Sequence, residues 1–106
     1  MIRKAFLMEL KPGMLDEYEK AHNPIWPELY KVFKAHGGHN SSIFYDRKSN
    51  QLFGYLEIED EEKFKDREKT EVCQEWFQKM KQFLVSDSKN DKKARTNDLR
   101  EIFHID

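Results

Sequence analysis

The chain has 106 residues, 38% hydrophobic and 13% aromatic, which is enough for one domain with its own core and too few for a second catalytic one. Nineteen basic and twenty acidic residues are interspersed to a formal charge of −1, so no broad positive field exists to hold nucleic-acid phosphates or an anionic membrane surface. With a single cysteine, Cys73, no apolar run near the roughly 20 residues of a membrane span, and no secretory signal behind Met1-Ile-Arg-Lys4, the expected compartment is the cytoplasm.

Ile2, Phe6, Met8 and Leu10 recur at period two with Ala5 and Leu7 opposite, which predicts a first strand ended by Lys11-Pro-Gly13. Met14, Leu15, Tyr18 and His22 then fall on one side of a helix whose other side is charged. Pro24 forces Asn23 out of the helical region and Pro27 suits the first turn of a second helix, carried by Leu29, Val32, Phe33 and His36 and stopped at Gly37-Gly38. Residues 39–46 and 51–58 read as two strands joined tightly enough for a hairpin.

Asp60 and Thr70 are N-cap candidates for a short helix and for a longer one striped by Val72, Cys73, Trp76, Phe77, Met80 and Leu84. Residues 86–98 hold only Ala94 as an apolar side chain and read as a solvated loop, with the runs Glu59–Glu62 and Lys89–Arg95 as solvated surface. Leu99, Phe103 and Ile105 alternate as a final strand. The order βααββααβ predicts an α+β domain of the ferredoxin-like, split βαβ kind, an antiparallel sheet with helices on one face. Phe53 and Tyr55 point away from Leu52 and Leu56, so the other face needs cover, and a sheet-to-sheet isologous homodimer would supply it.

Four histidines raise the question of metal, yet none falls in HxxxH or HExxH, there is no CxxC, and His36 and His39 straddle a glycine turn. No phosphate-binding glycine motif is present, and Cys73 lies in an apolar stripe where a thiol behaves as a small hydrophobe. The stretch Tyr18 to Pro27 concentrates a histidine, a tyrosine, a tryptophan and two prolines. Tyr18 and His22 share a helix face, and the helix dipole at the C-terminal end favours an imidazolium, which suits a proton donor. Read blandly, His22 only caps the last carbonyls and Trp26 only packs. Trp76 and Phe77 are likewise either core or flat platforms for the C–H faces of a sugar.

Met1-Ile-Arg-Lys-Ala-Phe6, His22-Asn-Pro-Ile-Trp-Pro-Glu-Leu29, His36-Gly-Gly-His-Asn40 and Val72-Cys-Gln-Glu-Trp76 closely resemble the L-rhamnose mutarotase family, in order and in spacing. The resemblance implies a dimeric ferredoxin-like α/β barrel, cofactor-free, that equilibrates the anomers of L-rhamnose or a related deoxyhexose. It implies His22 as proton donor and Tyr18, Trp76 and Phe77 as sugar-binding residues. Phe77 replaces the family's usual Trp, and Ser41 stands where the family has a substrate-binding Tyr; Tyr45, on the same strand face, is a candidate to compensate. Mutarotation needs one acid and one base and no metal or nucleotide, and the base is left open among Tyr18, a carboxylate and water. Two other activities are compatible with such a fold: a cofactor-free monooxygenase, or a sugar-binding module without catalysis.

Overall fold

The computed structural model describes residues 1–88 and 91–106. Strand β1, Ile2–Glu9, runs antiparallel to β3, Gln51–Ile58, with Met8 opposite Leu52 and Lys4 opposite Leu56. The hairpin partner of β3 is β2, Gly38–Asp46, and the short β4, Asn97–Leu99, pairs with the free edge of β1. The sheet order is β2-β3-β1-β4, antiparallel throughout. Its inner face carries Met8, Leu10 and Leu52 against Tyr18, Trp76 and Met80, which come from helices on that side.

Those helices are α1, Leu15–His22, α2, Pro27–Ala35, α3, Glu61–Lys65, and α4, Glu71–Met80. Local chemistry sets their ends. The Asp60 carboxylate accepts from the Lys63 amide at 2.8 Å and the Thr70 hydroxyl from the Cys73 amide at 3.4 Å, satisfying amide groups that a first helical turn leaves unpaired. At the end of α2 only Gly37 takes a left-handed conformation, φ +82°; Gly38 is needed for space, since a Cβ there would lie 2.4 Å from the Phe33 ring. Gly54 plays the same part in the middle of the sheet, where Phe6 on β1 lies flat across it and a Cβ would come within 2.4 Å of the ring.

Two carboxy-terminal expectations change. Only Leu99 of the expected final strand is in β4; Phe103 and Ile105 are 75% and 77% exposed and lie in no strand. The register explains it. Leu99 faces Ala5 and the Arg3 guanidinium still meets Glu101 at 2.8 Å, but continuing that pairing sets residue 103 opposite Met1, where β1 has run out. Within residues 86–98, expected as a solvated loop, Ala94 is 7% exposed in the core, and the Arg95 amide donates to the Val85 carbonyl at 3.2 Å. Lys89 and Asn90, which belong to that segment, lie outside the described residues.

Candidate active site

Tyr18 and His22 sit one turn apart on the inner side of the eight-residue helix α1. Their rings approach to 4.4 Å between centroids, and Trp76 of α4 meets the His22 ring edge-on at 5.0 Å. Trp26, just before α2, packs edge-on against Trp76 at 5.0 Å from the far side. The imidazole is therefore enclosed by aromatic rings from two elements, with a third ring bracing one wall.

His22 Nδ1 lies 2.8 Å from the Tyr18 carbonyl oxygen. A carbonyl only accepts, so Nδ1 carries the proton, and in the neutral ring Nε2 is left with a free lone pair. Burial lowers the pKa of His22 below its ordinary value, and the bond to the Tyr18 carbonyl only partly opposes this. The ring therefore rests neutral rather than as the imidazolium that the helix dipole alone would favour. One eight-residue helix end is outweighed by packing an ionisable ring among Tyr18 and Trp76. The capping role expected as the bland alternative is real, but it occupies only one nitrogen.

Tyr18 is 5% exposed, and burial pushes its phenol well above the usual tyrosine range, so it remains a neutral donor. Its hydroxyl has no hydrogen-bond partner among the described residues, yet Ser86 Oγ is the only fully sealed side-chain polar atom left unpaired there. The phenol oxygen therefore opens onto the adjoining cleft, a volume of 1370 Å³ that Tyr18, His22, Trp76 and Phe77 line together. That exceeds the roughly 300–1,000 Å³ of enclosed small-molecule pockets, as suits a half-barrel open on one side. All four side chains singled out in the sequence share this cleft.

Ser41 and Tyr45 also face it from β2. The Tyr45 hydroxyl, however, donates to Asn50 Oδ1 at 2.8 Å, which holds it at the hairpin end rather than leaving it free to stand in for a phenol at position 41. Cys73 is buried, and desolvation raises its thiol pKa, the opposite of what a nucleophile needs. Among the described residues no group of three or more His, Cys, Asp or Glu side chains is placed to hold a metal ion. His39 is instead engaged with Glu59 at 2.7 Å, and His104 with Asp106 at 2.9 Å. Lys93, from a polar segment whose one signal of docking is the isolated Ala94, also lines the cleft, with its Nζ 5.4 Å from the Phe77 ring centroid.

Comparison with known proteins agrees with this geometry. The family model for L-rhamnose mutarotase matches residues 3–105. L-rhamnose mutarotases of Oceanobacillus iheyensis and Pectobacterium carotovorum are 49% and 43% identical over 106 residues, covering all of both chains in each case. The crystal structure of an L-rhamnose mutarotase from Formosa agariphila superposes with a TM-score of 0.88 at 27% identity over the full length of both chains. A protein from Nitrosomonas europaea assigned to antibiotic-biosynthesis monooxygenases reaches a TM-score of 0.64 at 8% identity, over 97% of this chain and 100% of that one, a likeness of fold alone. Carried by a match to nearly every residue, with an imidazole facing an aromatic cleft, the conclusion is that the chain belongs to the L-rhamnose mutarotase family of isomerases.

Proposed function

We propose that the chain interconverts the α and β anomers of L-rhamnose and that His22 carries the proton. The observation behind this is the free Nε2 of a ring whose Nδ1 is already committed to the Tyr18 carbonyl. In the resting site Nε2 accepts the proton of the anomeric hydroxyl. The electron pair of that O–H bond becomes the C=O bond, the bond from the anomeric carbon to the ring oxygen breaks, and the ring oxygen takes the proton back from the imidazolium. Both oxygens are attached to the same carbon, so one nitrogen serves both, and His22 is base first and donor second. Rotation about the bond to the aldehyde carbon followed by the reverse sequence gives the other anomer.

Trp76 and Phe77 offer flat apolar surface to the C–H faces of the sugar, and the unpaired phenol of Tyr18 offers it a hydrogen bond. In saturation-transfer NMR on L-rhamnose, His22→Asn should slow anomer exchange at least ~10-fold with the fold intact. Exchange at the wild-type rate would remove His22 from the mechanism.

The same reading includes a homodimer. Phe44 and Phe53 stand opposite each other on the outer face of the sheet, 63% and 39% exposed, with Leu99 beside them across β1. A second copy packed on that face would cover them, and Phe53→Glu should then shift the sedimentation coefficient from dimer to monomer. A wild-type protein sedimenting as a monomer would refute it. One free, buried cysteine and the absence of any helix long and apolar enough to cross a membrane among the described residues are compatible with a cytoplasmic site of action.

A further inference from the structure

Phe77 does not stand alone on the cleft wall. Lys93 Nζ lies 5.4 Å from its ring centroid and 3.2 Å from Glu68 Oε2, and Arg67 Nη1 meets that same carboxylate oxygen at 3.4 Å. All three side chains line the cleft that Tyr18, His22 and Trp76 line. The pair is held from behind. Gln74 Nε2 donates to the Glu68 carbonyl at 2.5 Å, and Lys93 is followed by the buried Ala94 and by Arg95, whose guanidinium meets Glu9 at 2.9 Å. Lys93 therefore projects from a docked stretch of backbone, although its composition reads as solvated surface.

We propose that Glu68 and Lys93 read the ring hydroxyls of the sugar and so set which sugar the enzyme prefers; this rests on the reading that a hexose lies against Trp76 and Phe77. A pyranose stacked on an aromatic ring presents its hydroxyls at its rim, and each hydroxyl both donates and accepts. An ammonium supplies donors only and a carboxylate acceptors only, so the pair, with the ammonium over one end of the Phe77 ring, offers neighbouring hydroxyls partners in both senses. The two ends of the sugar are assigned by position. His22 is at the Trp76 side of the wall, 5.0 Å from that ring, and Lys93 is at the Phe77 side. With the anomeric carbon at Nε2, the carbons remote from it, which carry the hydroxyls that distinguish one deoxyhexose from another, lie toward Glu68 and Lys93. These residues bind and position; they transfer no proton.

The test is the concentration dependence of mutarotation, by polarimetry or NMR, for the full-length wild type, Lys93→Met, Lys93→Arg and Glu68→Gln. The probes are L-rhamnose and its 3-deoxy and 4-deoxy analogues. Losing one hydrogen bond to a charged group should raise KM for L-rhamnose about tenfold in Lys93→Met and in Glu68→Gln, with kcat within about twofold, because the contact is the same in ground and transition states. Lys93→Arg should recover most of the loss. The wild type should penalise at least one deoxy analogue, and Lys93→Met should not. A KM within about twofold of wild type in both charge-removing variants, or an equal penalty on all three sugars, overturns the proposal. A wild type that leaves L-rhamnose exchange at its uncatalysed rate overturns the parent reading and this one with it.

Discussion

Removing a single atom, the hydroxyl oxygen of Tyr18, should move stability and sugar affinity in opposite directions. The ring is 5% exposed and its packing against His22 and Phe83 is unchanged by Tyr18→Phe. The hydroxyl has no partner among the described residues, so its loss breaks no bond within the protein. What disappears is the desolvation of a polar group at the floor of the cleft, at most about 1 kcal/mol at a site open to some water. For a domain of about this size that is a rise in Tm of up to roughly 4–8 °C. Against this, the sugar loses one neutral hydrogen bond, about 0.5–1.5 kcal/mol or two- to twelvefold in affinity.

Ionisation adds a check on sign. The folded pKa of Tyr18 is raised, so its contribution to stability is complete below the ordinary phenol value near 10 and is lost as pH rises past it; Tyr18→Phe should abolish that alkaline loss. Thermal unfolding followed by circular dichroism, together with L-rhamnose titrations monitored by tryptophan fluorescence, measures both arms. A variant that unfolds several degrees earlier than wild type and binds the sugar equally well would refute the reasoning on both counts, by showing a partnered hydroxyl that never meets the substrate.

His22 has its pKa lowered by burial, so the rate of anomer exchange should be level above the ordinary histidine range and fall as pH drops below it, when Nε2 becomes protonated. A site that worked from a resting imidazolium would lose activity on the alkaline side instead, and a rate–pH profile distinguishes the two. Stability follows the same sign: the contribution of the neutral ring is present above about 6.5 and is lost as pH falls toward the folded value, visible as a declining Tm that His22→Asn lacks. Gly54→Ala should lower stability by about 1–3 kcal/mol, because its methyl group would meet Phe6 Cζ at 2.4 Å and drive that ring into the cleft; wild-type thermal unfolding in this variant would show that the sheet can yield there.

Much of the fold is legible in the sequence because its signals are local. Period two along Ile2–Glu9, the caps at Asp60 and Thr70, and Pro27 at the head of α2 each act over a few residues, and each element forms where that chemistry places it. The features that escape depend on distant partners. Where the last strand stops is decided by the far end of β1, and where the Lys93 side chain goes is decided by Glu68 and Phe77, which lie 25 and 16 positions earlier in the chain. No periodicity within residues 86–106 carries that information.

The histidines show the same division at one bond. His22 and His36 each end a helix with Nδ1 on the carbonyl four residues back, at 2.8 and 2.7 Å, so the capping chemistry that makes both legible cannot tell them apart. The difference comes from α4. Trp76 closes over His22, and among the described residues no aromatic ring stacks on His36. A cap fixes the tautomer of either ring, but only at His22 does a second element also close over the ring beside the cleft. The enclosure of His22 is thus a property of the α1–α4 contact, and the sequence reveals it only through the pairing of two segments more than fifty residues apart.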